Sequence, residues 1–168
     1  MKIKLAILSL MATAAFAFGG EPTEASRVAT KRVLTLEGAK LAGEAAAKYA
    51  KENGAAPSIA VVDDGGHLLY FTRVESSFAA GASVSIGKAR TAAMFKKPTS
   101  FFEDTINKGR FTMTALSDFT PLQGGVPLIY DGQVIGAIGV SGAKSASQDE
   151  EVAKVGAAAV TDTKVAAK

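Results

Sequence analysis

Two stretches of this chain run apolar, turn on Asp-Gly and run apolar again. The first is Ile59 to Val62, then Asp63-Asp64-Gly65-Gly66, then Leu68 to Phe71. The second is Leu128 to Tyr130, then Asp131-Gly132, then Gln133 to Val140. Such runs on either side of Asp-Gly are the strongest short-range hairpin signal a sequence carries, because the turns that suit twisted strands need positive φ at their centre. The runs of the first hairpin do not alternate with polar residues, which predicts strands covered on both faces and a hairpin in the middle of the protein. Gly136 and Gly139 weaken the last strand and predict a close approach by something large.

Helical patterns fill the rest. Thr35 as N-cap with Glu37 in the first turn opens a helix whose predicted buried face is Leu41, Ala42, Ala45, Tyr49 and Ala50, and Asn53-Gly54 ends it. A second helix buries Ala82, Ile86, Ala89 and Ala93 and stops before Pro98, with Lys96 and Lys97 at its negative end. Ser100-Phe101-Phe102-Glu103 has the form of a capping box, so a short third helix should run to Lys108. Ser147-Gln148-Asp149-Glu150 has the same form and should open a last helix with Val152, Val155 and Ala159 inside. Between them Arg110 to Gln123 is mixed and polar, a connection long enough to be a functional loop. Two hairpins among helices predict an α/β (α+β) fold, an antiparallel sheet of about four or five strands with helices packed on it. No strand leads through a Gly-rich loop into a helix, which argues against Rossmann or P-loop nucleotide binding.

At the N-terminus, Met1-Lys2-Ile3-Lys4 precedes an apolar run from Leu5 to Phe16, and Ala15-Phe16-Ala17 fits a small-x-small cleavage pattern. The run is too short to span a bilayer, so residues 1–17 read as a signal peptide and 18–34 as a flexible lead-in. A single domain over 35–163 and a frayed tail over 164–168 complete the division. The expected location is periplasmic or secreted, with no membrane span after cleavage. Loss of Lys2 and Lys4 reduces 19 basic residues to 17, against 16 acidic ones. The near-neutral mature chain, without an arginine-rich stripe, gives no argument for nucleic acid. There is no cysteine, which excludes disulfides, thiolate nucleophiles, iron–sulfur clusters and cysteine zinc sites.

Four stretches in one order then carry a resemblance: VVDDGGHLLYFTRVE, KARTAA with Phe95 and Lys97-Pro98-Thr99 after it, QGGVPL, and DGQVIGAIGVSGA with a downstream acidic pair. Together they resemble the GlcG/HbpS-like haem-binding family, whose domain also forms the C-terminal part of PduO-type cobalamin adenosyltransferases. The resemblance spans about Thr35 to Ala159. It implies a profilin-like sandwich, homo-oligomers, haem as cofactor in some members, and a membrane sensor or redox partner for some exported ones. Two departures stand out. Arg73-Val74-Glu75-Ser76-Ser77 occupies the place of Arg-Met-Asp-Gly-Ala, and Arg90 the place where an aromatic often precedes Thr-Ala-Ala.

The residues can then be weighed singly. His67 is the sole imidazole, able to serve as one axial ligand to haem iron but unable to build a structural zinc site alone; the plain alternative is a solvated or backbone-bonded side chain. Thr112, Met113 and Thr114 are the other candidate ligands. Arg73 and Glu75 point to one side of a strand end, either as a surface ion pair or as a pocket rim with Arg73 on a propionate. Lys88 and Thr91 fall within the Lys-Ala-x-Thr-Ala-Ala motif, and Lys88 is the better propionate partner, though a charge on a helix is usually solvated. Gly124 and Gly125 let backbone approach a ligand or simply enter the second hairpin tightly. Three functions remain open: a non-enzymatic haem protein for storage, delivery or redox sensing; a small-molecule enzyme or corrinoid- or organic-acid-binding protein tied to glycolate-type metabolism; and a pure interaction module. The enzyme reading is weakened by the lack of any nucleophile placed beside a base.

Overall fold

The computed structural model describes residues 29–161, in which a compact unit begins at Lys31. The expected signal peptide, the lead-in up to residue 28 and the tail lie outside the described residues. The elements run α1 (Leu36–Glu52), β1 (Ser58–Asp63), β2 (Leu68–Arg73), α2 (Gly81–Phe95), α3 (Thr99–Asn107), a 3-10 turn (Phe111–Ala115), β3 (Gly125–Tyr130), β4 (Gln133–Ser141) and α4 (Ala146–Thr161). The four strands form one antiparallel sheet in the order β2-β1-β4-β3.

Side chains one residue apart on a strand point to opposite faces, so β4 tells which helix lies where. A Cβ at Gly139 would strike the Ser85 carbonyl and come within 2.5 Å of the Ala89 amide, both on α2. Its neighbour Ile138 instead meets Gly156 of α4, which in turn sits against the Ala42 carbonyl of α1. So α2 covers one face, and α1 and α4, packed on each other, cover the other. Across the α2 face one row reads Phe71, Ala60, Gly139, Gly125. Three of the four are Ala or Gly, and a Cβ at Gly125 would lie 2.5 Å from the Lys88 carbonyl. The helix backbone can therefore settle directly on the sheet. The close approach expected at Gly139 is that of α2.

Both hairpins form as expected, with Asp131 and Gly132 at φ 51° and 73° in the second turn. The first hairpin is not uniformly central. β1 is buried, but β2 is an edge strand with Leu68 and Phe71 exposed. Thr35 caps α1 by accepting the Gly38 amide hydrogen at 3.1 Å. The buried stripe of α1 is Ala39, Ala42, Gly43, Ala46 and Ala50; Leu41 is exposed and Ala45 and Tyr49 are half-buried. The stripe follows the smallest residues because Tyr70 of β2 presses flat on Gly43.

The two capping boxes are used differently from expectation. α3 begins two residues earlier, after an extended Pro98 with no side-chain cap. Ser100 lies inside the helix and donates to Glu150, while Glu103 accepts the Gln123 amide at 2.6 Å. α4 is capped two residues upstream, where Ser145 accepts the Gln148 amide at 3.1 Å and Gln148 accepts that of Lys144 at 2.9 Å. Residues 31–34, expected within a flexible lead-in, are strapped across both hairpin turns: Lys31 pairs with Asp64 at 2.8 Å, and Arg32 with Asp131 while stacking over Tyr130.

Candidate functional site

The residues singled out in the sequence divide between the two sides of α2. Lys88 and Thr91 face the sheet. Lys88 is only 3 % exposed, and its ammonium donates to Asp149 and to the Val140 carbonyl, both at 2.9 Å. It is thereby spent on the core rather than held out for an anionic ligand. Thr91 is fully buried and accepts the Thr120 amide at 2.8 Å, which fixes the end of the 110–123 connection to the helix. Gly124 and Gly125 are buried beside them. A Cβ at Gly124 would lie 2.9 Å from the Lys88 ammonium, so this glycine pair makes room for α2 and its lysine. Thr99 completes the seat, accepting the Gly125 amide at 2.8 Å. Lys88, Thr91, Thr99, Gly124 and Gly125 build the joint between α2, α3 and the second hairpin.

The outer flank is different. Arg90 projects from α2 and touches two separate regions: its Nε donates to the Gly66 carbonyl at 3.2 Å, and its Nη1 lies 3.7 Å from Asp118. Gly66 sits at φ 85°, and a Cβ there would meet both Arg90 and the Met94 sulfur. One strip therefore runs from the β1–β2 turn, across Arg90 and Met94, to Asp118 in the loop that follows the 3-10 turn. Beneath the Arg90–Asp118 pair lies a cleft of about 320 Å³ lined by Ser83, Ile86, Gly87 and Thr120.

His67 stands at the head of this strip with its side chain 82 % exposed. The Asp63 carboxylate lies 3.2 Å from its Nδ1 and also accepts the backbone amides of His67 and Gly65 at 2.9 Å. Burial raises the Asp63 pKa, but the hydrogen bonds from His67 and Gly65 outweigh it and hold the carboxyl below its ordinary range. An ionised Asp63 can only accept, so in the neutral ring it favours the proton on Nδ1, and Nε2 has no hydrogen-bond partner among the described residues. The 3-10 turn at the other end exposes Thr112 and Thr114 and half-buries Met113. Thr114 donates to the Phe111 carbonyl at 2.7 Å, leaving its oxygen lone pairs outward.

The surface along this flank is apolar. Met94, Phe95, Phe101, Phe111, Leu116 and Leu122 are exposed, Phe111 by 66 %. Phe95 and Phe119 pack edge-on against the buried Phe102, which anchors the set. Lys97 lies over Phe101. Arg73 and Glu75 do not join it. They are exposed at the far end of β2, roughly 15–20 Å from His67 at the usual strand rise, and Arg73 donates to the Ser77 carbonyl instead of pairing with Glu75. Arg90 and Met94 are not among the site residues singled out in the sequence. Their only signal was a positive charge where the resemblance leads one to expect an aromatic.

Comparison with known proteins follows the same outline. The family model for "Haem degrading protein HbpS-like" matches residues 34–158. Protein GlcG of Escherichia coli K12 is 43% identical over 112 residues, covering 67% of this chain and 84% of GlcG. The crystal structure of HbpS superposes with a TM-score of 0.74 at 32% identity, over 79% of this chain and 93% of that one. A crystal structure of a PduOC–haem complex superposes at 0.69 with 24% identity, over 76% of this chain and 95% of that one, a likeness of fold.

Proposed function

The chain belongs to the HbpS-like family, and we propose from that premise that it binds haem on the outer flank of α2. The observation that carries the placement is the imidazole of His67, held by Asp63, with Nε2 unengaged among the described residues, at the head of an exposed apolar strip. Haem is an apolar plate with two carboxylates, and the strip has the matching chemistry. Met94, Phe111 and Leu116 offer apolar surface. Arg90 keeps its Nε on the Gly66 carbonyl and can turn its Nη groups, only loosely held by Asp118, to a carboxylate in a charge-assisted pair. Thr112, Met113 and Thr114 offer oxygen and sulfur donors at the other end. Haem, when bound, would supply an iron able to exchange one electron and to bind small molecules. Asp63 sets the tautomer and orientation of His67 and strengthens its donor nitrogen, as carboxylates behind ligating histidines do.

An apolar strip of this extent is also what a second copy of the chain would cover. We therefore place haem between copies in a homo-oligomer. Export is supported by the apolar Leu5 to Phe16 run with Ala15-Phe16-Ala17 after its core. Storage, delivery to a membrane sensor, or redox sensing are the roles such an exported haem protein would serve. Among the described residues no helix is long and apolar enough to cross a membrane.

An absorption titration with haemin tests this, run on the wild type, His67→Ala and the triple variant Thr112→Val/Met113→Leu/Thr114→Val. A saturable Soret band that is lost or shifted in His67→Ala is expected. A band kept in His67→Ala and lost in the triple variant moves the ligand to the 3-10 turn. No saturable band in the wild type ends the haem reading and leaves a small-molecule enzyme or an interaction module. The family is described as haem-degrading, and following the band under reductant and oxygen separates the roles: a stable band supports storage or sensing, a bleaching one degradation.

A further inference from the structure

A second cavity lies on the other side of the sheet, between the C-terminal half of α1 and the β1–β2 hairpin. Its volume is about 590 Å³, inside the range of small-molecule sites. It exists because the side chains that would fill it are small. α1 presents Ala47 and Ala50 there, the link to β1 supplies Ala55 and Pro57, and Ile59, Thr72 and Val74 form the opposite wall. The walls are thus almost wholly apolar, with the Thr72 and Ser76 hydroxyls as minor polar points.

The rim carries a sign. Lys48 and Lys51 border the cavity from adjacent turns of α1, and both are exposed. Among the described residues neither forms an ion pair, although Glu44 and Glu52 stand four residues to either side of Lys48. Thr72 faces α1 because it alternates with Phe71, which lies on the α2 side. Its hydroxyl forms no hydrogen bond among the described residues. An apolar groove with two ammonium groups at its mouth matches one kind of ligand: an aliphatic body ending in a carboxylate. The body would remove the half-buried Ala47 and Ala55 and the exposed Val74 from water, and the carboxylate would meet the lysines at the rim.

We propose that this groove binds a medium-chain aliphatic monocarboxylate, tail inward and head between Lys48 and Lys51. The site lies on the α1 side of the sheet, is independent of the haem reading, and uses none of its residues. It was invisible in the sequence, because a cavity made by alanines leaves no motif.

The test is a calorimetric titration of the full chain with decanoate, beside decan-1-ol as the neutral control. Saturable one-to-one binding of decanoate is expected. The surface variant Lys48→Glu/Lys51→Glu should weaken it about tenfold or more, the loss appropriate to a charge-assisted hydrogen bond. Ala47→Phe, which fills the groove from a half-buried position, should abolish it in protein shown to be folded by circular dichroism. His67→Ala should leave it unchanged. Absence of saturable binding overturns the proposal, as does decanoate binding that neither variant alters. Equal binding of decan-1-ol overturns the assignment of the carboxylate to the lysines. Haemin titration of Lys48→Glu/Lys51→Glu keeps the two sites apart, since an unchanged Soret band there leaves the haem reading standing whatever decanoate does.

Discussion

The inner and outer flanks of α2 are built from opposite materials. The inner flank is Ser85, Lys88, Ala89, Thr91 and Ala92, laid on a row of Ala60, Gly139 and Gly125. Every polar group on it has a partner: Lys88 on Asp149, Thr91 under Thr120, and Ser85 on the Ala82 carbonyl. The outer flank carries Arg90, Met94 and Phe95, and leads on to an exposed 3-10 turn. Residues that look chemical in a motif are inside and hold the fold. The residues outside, Arg90, Met94 and Phe95, carry exposed apolar surface and a guanidinium bound to the Gly66 carbonyl and near Asp118. A lysine in a recurring pattern is therefore a poor guide to ligand binding until its burial is known.

That contrast can be broken by mutation. Lys88→Met should be the most damaging change, because it leaves the Asp149 carboxylate buried with only the Ala143 amide and no cation. Removing one partner of a buried pair costs about 3–5 kcal/mol. Urea denaturation measures it, and Lys88→Met/Asp149→Leu should recover part of the loss. A cost near zero for Lys88→Met would mean the pair does not support the joint. Gly139→Ala should follow at about 1–3 kcal/mol, since its Cβ would meet fixed backbone of α2 rather than a flexible side chain.

A smaller effect comes from acid. Burial raises the Glu150 pKa, but hydrogen bonds from Gln123, Lys154 and Ser100, with the Lys154 charge, outweigh it and hold the group below its ordinary value. A depressed carboxyl stabilises the fold above its unfolded pKa, and that stability is lost as pH falls through the folded one. Melting temperature should therefore drop below the ordinary carboxylate range, and Glu150→Gln should flatten that drop. An unaltered acid profile would remove Glu150 from the account. Smallest of all, Thr112→Val and Thr114→Val should each change stability by less than about 0.5 kcal/mol, as exposed positions do. A larger loss would show that the outer flank is structural too.

What was legible in the sequence follows from range. Both hairpins, the Thr35 cap and the close approach at Gly139 depend on neighbours in the chain or on backbone geometry, and they were read correctly. Of the face expected for α2, Ala89 and Ala93 are buried and Ala82 and Ile86 only half-buried, while Lys88 turns inward because its counter-charge, Asp149, lies far along the chain and hydropathy counts such a lysine as exposed. The Ser100 box failed because Ser100 is spent on Glu150 and Glu103 on Gln123, partners that local spacing does not show. β2 was placed in the middle because its apolar residues resemble those of β1, and only strand order reveals it as an edge. His67 was visible as a residue, but its orientation by Asp63 needed the turn geometry. Arg90 was visible only as a departure, and its span from Gly66 to Asp118 belongs to the folded chain.

The placement of haem is tested most directly by amide hydrogen exchange with and without haemin. The account predicts slowed exchange at the β1–β2 turn around His67 and across residues 94–122, with residues 47–57 unchanged. Protection confined to residues 47–57 and the end of β2 would put haem in the alanine-walled groove and contradict the account.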